Sequence, residues 1–225
     1  YASRLIKESG KAVLKADTLC QGKGVFIAES LIDAEDFCKK VLIEKIFGEC
    51  SMVVEEYLDG FEMSLLCFVD NNTIKPLPTV KDHKKIHDGE RGLNTGGMGT
   101  YSPNSQADIY LPEIESTVLT PFLDGIKKDA LDFRGIIFIG FMIGTKGIKV
   151  LEFNTRFGDP ETQTVLQRLE TDLLDIMLHT SDSNLNGIDI RFNDKKVITL
   201  VISSGGYPEK YETGCEITGL ENVSS

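Results

Sequence analysis

Apolar positions along this 225-residue chain alternate between two spacings, near 3.6 and near 2, and the changes of spacing mark out its elements. Ala2 to Ser9 carries a short helical pattern that Gly10 ends, because glycine takes the left-handed conformation that closes a helix. Lys11–Asp17 and Val25–Ala28 read as strands joined by the glycine-bearing loop Thr18–Gly24. Ser30-Leu-Ile-Asp33 has the form of a capping box, and Leu31, Ala34, Phe37, Cys38, Val41, Leu42 and Ile46 then make one stripe, which predicts a packing helix. From Ser51 a strand runs into the paired acids Glu55 and Glu56, turns at Asp59-Gly60 and resumes at Glu62. Ser64–Val69 and Thr73–Pro78 pair around Asn71-Asn72. Pro112 to about Leu131 predicts a helix with Ile114, Val118, Leu119, Phe122, Leu123 and Ile126 facing the core.

Ile136–Ile143 is a continuous apolar strand, turned at Gly144-Thr-Lys-Gly147 into a buried strand that ends at Asn154. Val165, Leu166, Leu169, Leu173, Ile176 and Met177 predict one helix over 160–179, with Asp159 as its cap and Pro160 at its first position. Ser181–Asp194 is polar, and Val197–Ser203 reads as a buried strand opening a new unit. Between Lys81 and Gly99 there is almost no periodicity, which predicts a long structureless loop of the functional kind.

Composition narrows the partners. A net charge of −11 and a pI near 4.8 argue against nucleic acid, which needs a basic face. No run approaches the length of a membrane span, and the N-terminus has no apolar signal core. The five cysteines are odd in number and lack a C-x-x-C pair, so reduced thiols and a cytoplasmic setting are expected. The three histidines are too scattered for a metal cluster.

In an acidic chain, a concentration of cations and oxygens carries information. Glu152 and Asn154, two apart on a strand, share one face, and a carboxylate with an amide oxygen makes a hard-cation site. Alone, the pair also fits a half-buried strand with a solvated polar face. The turn after it exposes Arg156, Gly158 and Asp159. Lys15 and Lys23 flank the Thr18–Gly24 flap, whose glycine N–H groups suit phosphate, although a plain surface hairpin explains the same residues. The flap has neither P-loop nor dinucleotide-fingerprint spacing. The segment 55–62 offers backbone groups to a base edge and Glu62 to ribose hydroxyls, or is a solvated hairpin. Lys81, Lys84, Lys85 and Arg91 gather in the 81–99 loop, where Gly96, Gly97 and Gly99 suggest close backbone approach to a ligand.

Five segments carry a resemblance: Lys15-Ala-Asp-Thr-Leu-Cys-Gln-Gly-Lys-Gly-Val25, Glu55–Ser64, Lys81-Asp-His-Lys84, Asn94-Thr-Gly-Gly-Met-Gly99 and Glu152-Phe-Asn154 with Arg156-Phe-Gly-Asp-Pro-Glu-Thr-Gln163. In that order they resemble the ATP-grasp family and, within it, the phosphoribosylamine–glycine ligases. The resemblance implies an α+β ATP-grasp fold of two subdomains gripping ATP: 1–57 with a phosphate lid and 58–192 with the metal site. Residues 193–225 would begin a small C-terminal β-rich domain, and the family's N-terminal domain is absent. It implies ligation of glycine to 5-phosphoribosylamine through glycyl phosphate, in purine synthesis, with ADP and phosphate released.

In that scheme Glu152 and Asn154 hold Mg²⁺ or Mn²⁺, and Lys15 and Lys23 clamp phosphates, with Lys23 and Arg156 catalytic. Glu55, Glu56, Tyr57 and Leu58 receive adenine, and Glu62 the ribose. Asn94, Thr95, Gly96, Gly97, Arg156 and Asp159 bind the other substrates. The chain departs from the family at Thr18, Cys20 and Gln21 in the lid and at Leu93, where proline is usual, and it is short between Gly48 and Val53. The parent is expected to be a monomeric ligase and this chain alone to turn over poorly. Another ATP-grasp carboxylate–amine ligase, or a non-catalytic nucleotide-binding module, fits the same residues.

Overall fold

The computed structural model describes residues 1–20 and 24–223. The N-terminal part runs α1 (Ala2–Ser9), β1 (Ala12–Asp17), β2 (Val25–Ala28), α2 (Leu31–Cys38) and β3 (Ser51–Glu56). Next come β4 (Phe61–Val69), β5 (Ile74–Pro76), β6 (Lys81–Asp82), β7 (Lys85–His87), β8 (Arg91–Asn94) and β9 (Gly99–Ser102). Helices α3 (Ser105–Asp108), α4 (Leu111–Ile114) and α5 (Thr120–Lys128) lead to β10 (Gly135–Gly144) and β11 (Gly147–Asn154). After these come α6 (Glu161–Val165), α7 (Leu173–Ser181) and β12 (Val197–Leu200).

The small antiparallel sheet has the order β2–β1–β3. Alternation buries Ala12, Leu14 and Ala16 of β1, and the cluster that Ala12 and Leu14 join takes in Leu5 of α1 and Ala34 of α2. Gly10 sits at φ 79° and donates its N–H to the Ile6 carbonyl, closing α1 as expected. Ser30 caps α2, its Oγ accepting from the Asp33 N–H at 3.2 Å. The helix continues in a wider turn over Lys39–Ile43. Its predicted stripe is only partly used: Ala34 and Val41 are buried, whereas Leu31, Leu42 and Ile46 lie in solvent. A three-stranded sheet is too narrow to cover all of it.

The larger antiparallel sheet has the order β11–β10–β4–β5. Its central strands are buried on both faces, which is why their sequences read as unbroken apolar runs. Met63, Leu65, Cys67 and Val69 of β4 join Ile137, Ile139, Phe141 and Ile143 of β10 in one core with Ala107, Ile114, Leu119 and Ile126 of the helical layer. Leu66, Phe68, Ile136 and Phe138 face the other way, into a second core with Val165, Ile176 and Leu185. Burying each such side chain contributes about 1.5–3 kcal/mol. Helix α4 runs on into α5 through a wide turn at Glu115–Leu119, one helix in effect, as its stripe predicted.

Three expectations need correction. The 81–99 segment is not structureless: β6 pairs with β9, and β7 forms a hairpin with β8. These strands are two to four residues long, too short to show alternation. The helix expected over 160–179 is two, α6 and α7, with Leu169 bridged to Phe192 between them and Asp172 capping the second. Finally, β12 is not buried. It pairs with β9 and leaves Ile198 and Leu200 exposed. Cys20, Cys38, Cys50, Cys67 and Cys215 are free thiols, as the odd count suggested.

Candidate active site

Glu152 and Asn154 share a face of β11, as the alternation requires. Glu152 stands opposite Gly140 and Asn154 opposite Phe138, while Phe153 turns to the other face and stacks on Phe122 at 5.4 Å. The strand is the outer edge of the sheet rather than a buried one, so Glu152 is exposed and Asn154 half-buried. Gly140 makes room for the carboxylate: a Cβ there would lie 3.2 Å from Glu152 Cγ.

The same row continues onto β4, where Ser64 stands opposite Gly140 and Glu62 opposite Met142. Ser64 Oγ donates to Glu161 Oε1 at 3.0 Å. Glu161 opens α6 and is buried. Gly158 folds over it so closely that a Cβ would come within 2.5 Å of Glu161 Oε2.

Lys84 links the two sides of the site. Its Nζ pairs with Glu62 Oε2 at 3.2 Å. Burial pulls the ammonium down, but Glu62, Glu152 and Asp82 together outweigh that and hold it above the ordinary lysine value. Asp82, on β6, is 5% exposed, and its Oδ1 has no hydrogen-bond partner among the described residues. Burial pushes its carboxyl up to about 7, with Glu161 adding to the shift and Lys84 opposing it.

The Asn94–Gly97 loop lies directly over these groups. Thr95 donates to the Lys84 carbonyl twice, from N at 2.7 Å and from Oγ1 at 2.8 Å. Gly97 N donates to Thr95 Oγ1 at 3.0 Å, and Gly96 N donates to Tyr207 Oη at 2.9 Å. Gly97 has φ 120°, and a Cβ on it would meet Pro160 Cδ at 2.5 Å and Asp82 Oδ1 at 2.9 Å. Only glycine fits there. Asn94 is exposed in the hairpin, paired with Lys85.

Of the other sequence candidates, Arg156 is exposed and donates Nη1 to the Phe157 carbonyl at 2.8 Å. Asp159 does not cap the helix: Pro160 holds that place, and Asp159 Oδ1 accepts from Gln163 Nε2 at 2.6 Å. Lys15 is ion-paired to Glu55 at 2.5 Å, and Glu56 to Lys146 at 2.5 Å. Tyr57 carries Lys11 over its ring at 5.0 Å, and Leu58 is half-buried. The 57–60 connection is no hairpin, since β3 and β4 belong to different sheets. It passes so close to Ile143–Gly144 that neither Gly60 nor Gly144 has room for a Cβ. Lys23 lies outside the described residues.

Sequence reasoning did not single out Ser64, Asp82 or Glu161. Asp82 and Glu161 stood inside two of the quoted motifs, and that was the only signal. Among the described residues, no three carboxylate, histidine or cysteine side chains converge as a metal cage. The donor set on β11 is one carboxylate and one amide oxygen, which suits a hard cation that draws its other ligands from water and phosphate.

Residues 2–162 match the family described as phosphoribosylglycinamide synthetase, ATP-grasp (A) domain. The chain belongs to this family. It is 41% identical over 226 residues to a phosphoribosylamine–glycine ligase of Caldanaerobacter subterraneus, covering 99% of this chain and 54% of that protein. With the trifunctional purine biosynthetic protein adenosine-3 of Gallus gallus it shares 44% identity over 216 residues, 94% of this chain and 21% of that one. The crystal structure of phosphoribosylamine–glycine ligase from Thermotoga maritima aligns with a TM-score of 0.81 at 30% identity, over 93% of this chain and 54% of that one. The biotin carboxylase domain of Hydrogenobacter thermophilus 2-oxoglutarate carboxylase, at TM-score 0.61 and 19% identity over 88% of this chain and 42% of that one, shares the fold. The α+β ATP-grasp fold expected from the sequence is thus the fold of the chain. The chain spans about half the length of the curated ligases it matches.

Proposed function

We propose that the polypeptide carrying this chain joins glycine to 5-phosphoribosylamine at the expense of ATP, giving glycinamide ribonucleotide, ADP and phosphate by way of glycyl phosphate. A carboxylate is a poor electrophile, and phosphorylation supplies the leaving group. The site's work is then alignment and charge neutralisation. Glu152 and Asn154 would hold Mg²⁺ or Mn²⁺, which neutralises phosphate charge when bound. Lys15 exchanges its pairing with Glu55 for phosphate, and Lys23 joins it. Residues 55–58 receive adenine and Glu62 the ribose. Arg156 meets the glycine carboxylate or the acyl phosphate, while Asp159 and Asn94 to Gly97 line the pocket of the amine. The polypeptide acts as a cytoplasmic monomer; no helix among the described residues is long and apolar enough to cross a membrane.

One observation supports this reading above the others. The Asn94–Gly99 and Arg156–Glu161 segments, far apart in sequence, close on Lys84 and Asp82 beside the row that carries Glu152. The test is ADP release by the full-length polypeptide. It should require glycine together with an amine nucleophile, phosphoribosylamine or hydroxylamine in its place. Release driven by bicarbonate in place of glycine would assign a different carboxylate, and release indifferent to both would refute the ligase.

A further inference from the structure

We propose that Asp82 accepts the proton that the attacking amine gives up as the amide bond forms. The inference rests on the ligase reading and adds a residue that the reading leaves without a task.

The geometry comes first. Asp82 Oδ1 is buried, lacks a hydrogen-bond partner among the described residues, and lies directly beneath Gly97 in the loop proposed for the amine. A buried carboxylate oxygen left unpaired costs roughly 1–3 kcal/mol or more, a cost that a proton taken up there would relieve. Lys84 lies within reach of the charges of Glu62, Glu152 and Asp82. Asp82 therefore lies under the loop proposed for the amine and shares Lys84 with the residues proposed to hold the ribose and the cation.

The chemistry balances. The amine lone pair forms the N–C bond, the C–O bond to phosphate breaks, and its electron pair leaves on the phosphate oxygen. One N–H proton passes to Asp82 and then to solvent. The groups facing Asp82 are Glu161 from α6, Glu62 from β4, and Lys81 and Lys84 beside it; its partner across the pair on β9 is the uncharged Thr100. Burial and Glu161 raise the carboxyl to about 7, close to the pH at which a base is most useful.

The test separates the two halves of the reaction in the full-length polypeptide. Hydroxylamine traps the acyl phosphate made from MgATP and glycine as a hydroxamate; phosphoribosylamine gives the amide. In Asp82→Asn the ratio of amide to hydroxamate should fall by roughly 100-fold or more, the usual worth of a general base. The rise of amide formation through pH 7 expected of the parent should vanish. Should the asparagine variant not fold, Asp82→Ala with added formate decides instead: recovery of the ratio supports the role and no recovery overturns it. Equal losses of both products, or an unchanged ratio, would overturn it while leaving the ligase standing. A parent that forms no hydroxamate sinks the ligase reading itself, and this inference with it.

Discussion

Gly140→Ala tests whether the Glu152 carboxylate is held by space rather than by bonds. Glycine inside a strand costs about 0.5–1 kcal/mol relative to alanine, so the substitution begins with that gain. The new Cβ would lie 3.2 Å from Glu152 Cγ, 3.7 Å from Phe138 Cε1 and 3.8 Å from Glu152 Oε1. Only the first distance is tight, and it involves an exposed side chain that can turn away at a cost below about 1 kcal/mol. The net stability change is therefore between roughly −0.5 and +1 kcal/mol, a Tm change from about −2 to about +4 °C for a chain of this size. Glu152, however, leaves its place over Gly140. If it holds the cation of MgATP, misorienting it should weaken MgATP binding about 10- to 100-fold, the usual loss when the groups that aim a metal ligand are disturbed. Thermal unfolding and calorimetric titration with MgATP, run on the same preparation, read both quantities. A Tm drop of more than about 5 °C would show that Glu152 cannot yield. Unchanged MgATP affinity would show that its position is immaterial to the nucleotide.

Other substitutions test the frame. Asp70 is fully buried and its carboxylate accepts from Asn72 N, Thr73 N and Leu185 N at 2.6–2.8 Å, so Asp70→Ala should cost about 3 kcal/mol or more in denaturant unfolding. Phe141, also fully buried, should cost about 3–5 kcal/mol on truncation to alanine by the same measurement. The carboxyl of Asp82 lies near 7 folded against an ordinary 3.8, so the folded chain binds the extra proton between those values. Its contribution is present below about pH 4 and is lost as pH rises through about 7, by roughly 4 kcal/mol at 1.36 kcal/mol per unit. Asp82→Asn should remove that decline, which unfolding curves at pH 4.5 and 8 would reveal.

What the chain's pattern disclosed, and what it hid, follow from the reach of each signal. Glu152 and Asn154 were legible because a period of two fixes which strand neighbours share a face whatever else happens in the fold. The long central strands were legible for the opposite reason, since burial on both faces leaves no alternation to misread. The break between α6 and α7 was not legible. Leu166, Leu169 and Leu173 keep helical spacing straight through it, and the contacts that stop the helix come from far along the chain. Arg168 donates to Ser102 Oγ and to the Asn193 carbonyl, and Glu170 N donates to the Arg191 carbonyl. The last of these bonds satisfies a backbone N–H as a helical turn would, and the first two hold in place a buried arginine that spacing alone would put on the surface.

The same limit hid half of the candidate site. A glutamate at the first position of a helix, such as Glu161, has a sufficient local reason to be there, because the helix N-terminus favours negative charge. An aspartate in a polar run, such as Asp82, needs no reason at all. Their significance arises only when β6, the Asn94–Gly97 loop and α6 close over them, turning two ordinary acids into buried ones. Burial, not residue type or spacing, makes Asp82 a better base than an exposed aspartate. A change that opens the cover should therefore act on the chemistry without touching either acid. At Gly97 a methyl group would collide with Pro160 and with Asp82 Oδ1 together, and the loop can relieve that only by lifting away. Water would then reach Asp82, its carboxyl would fall toward the ordinary value, and the base would weaken.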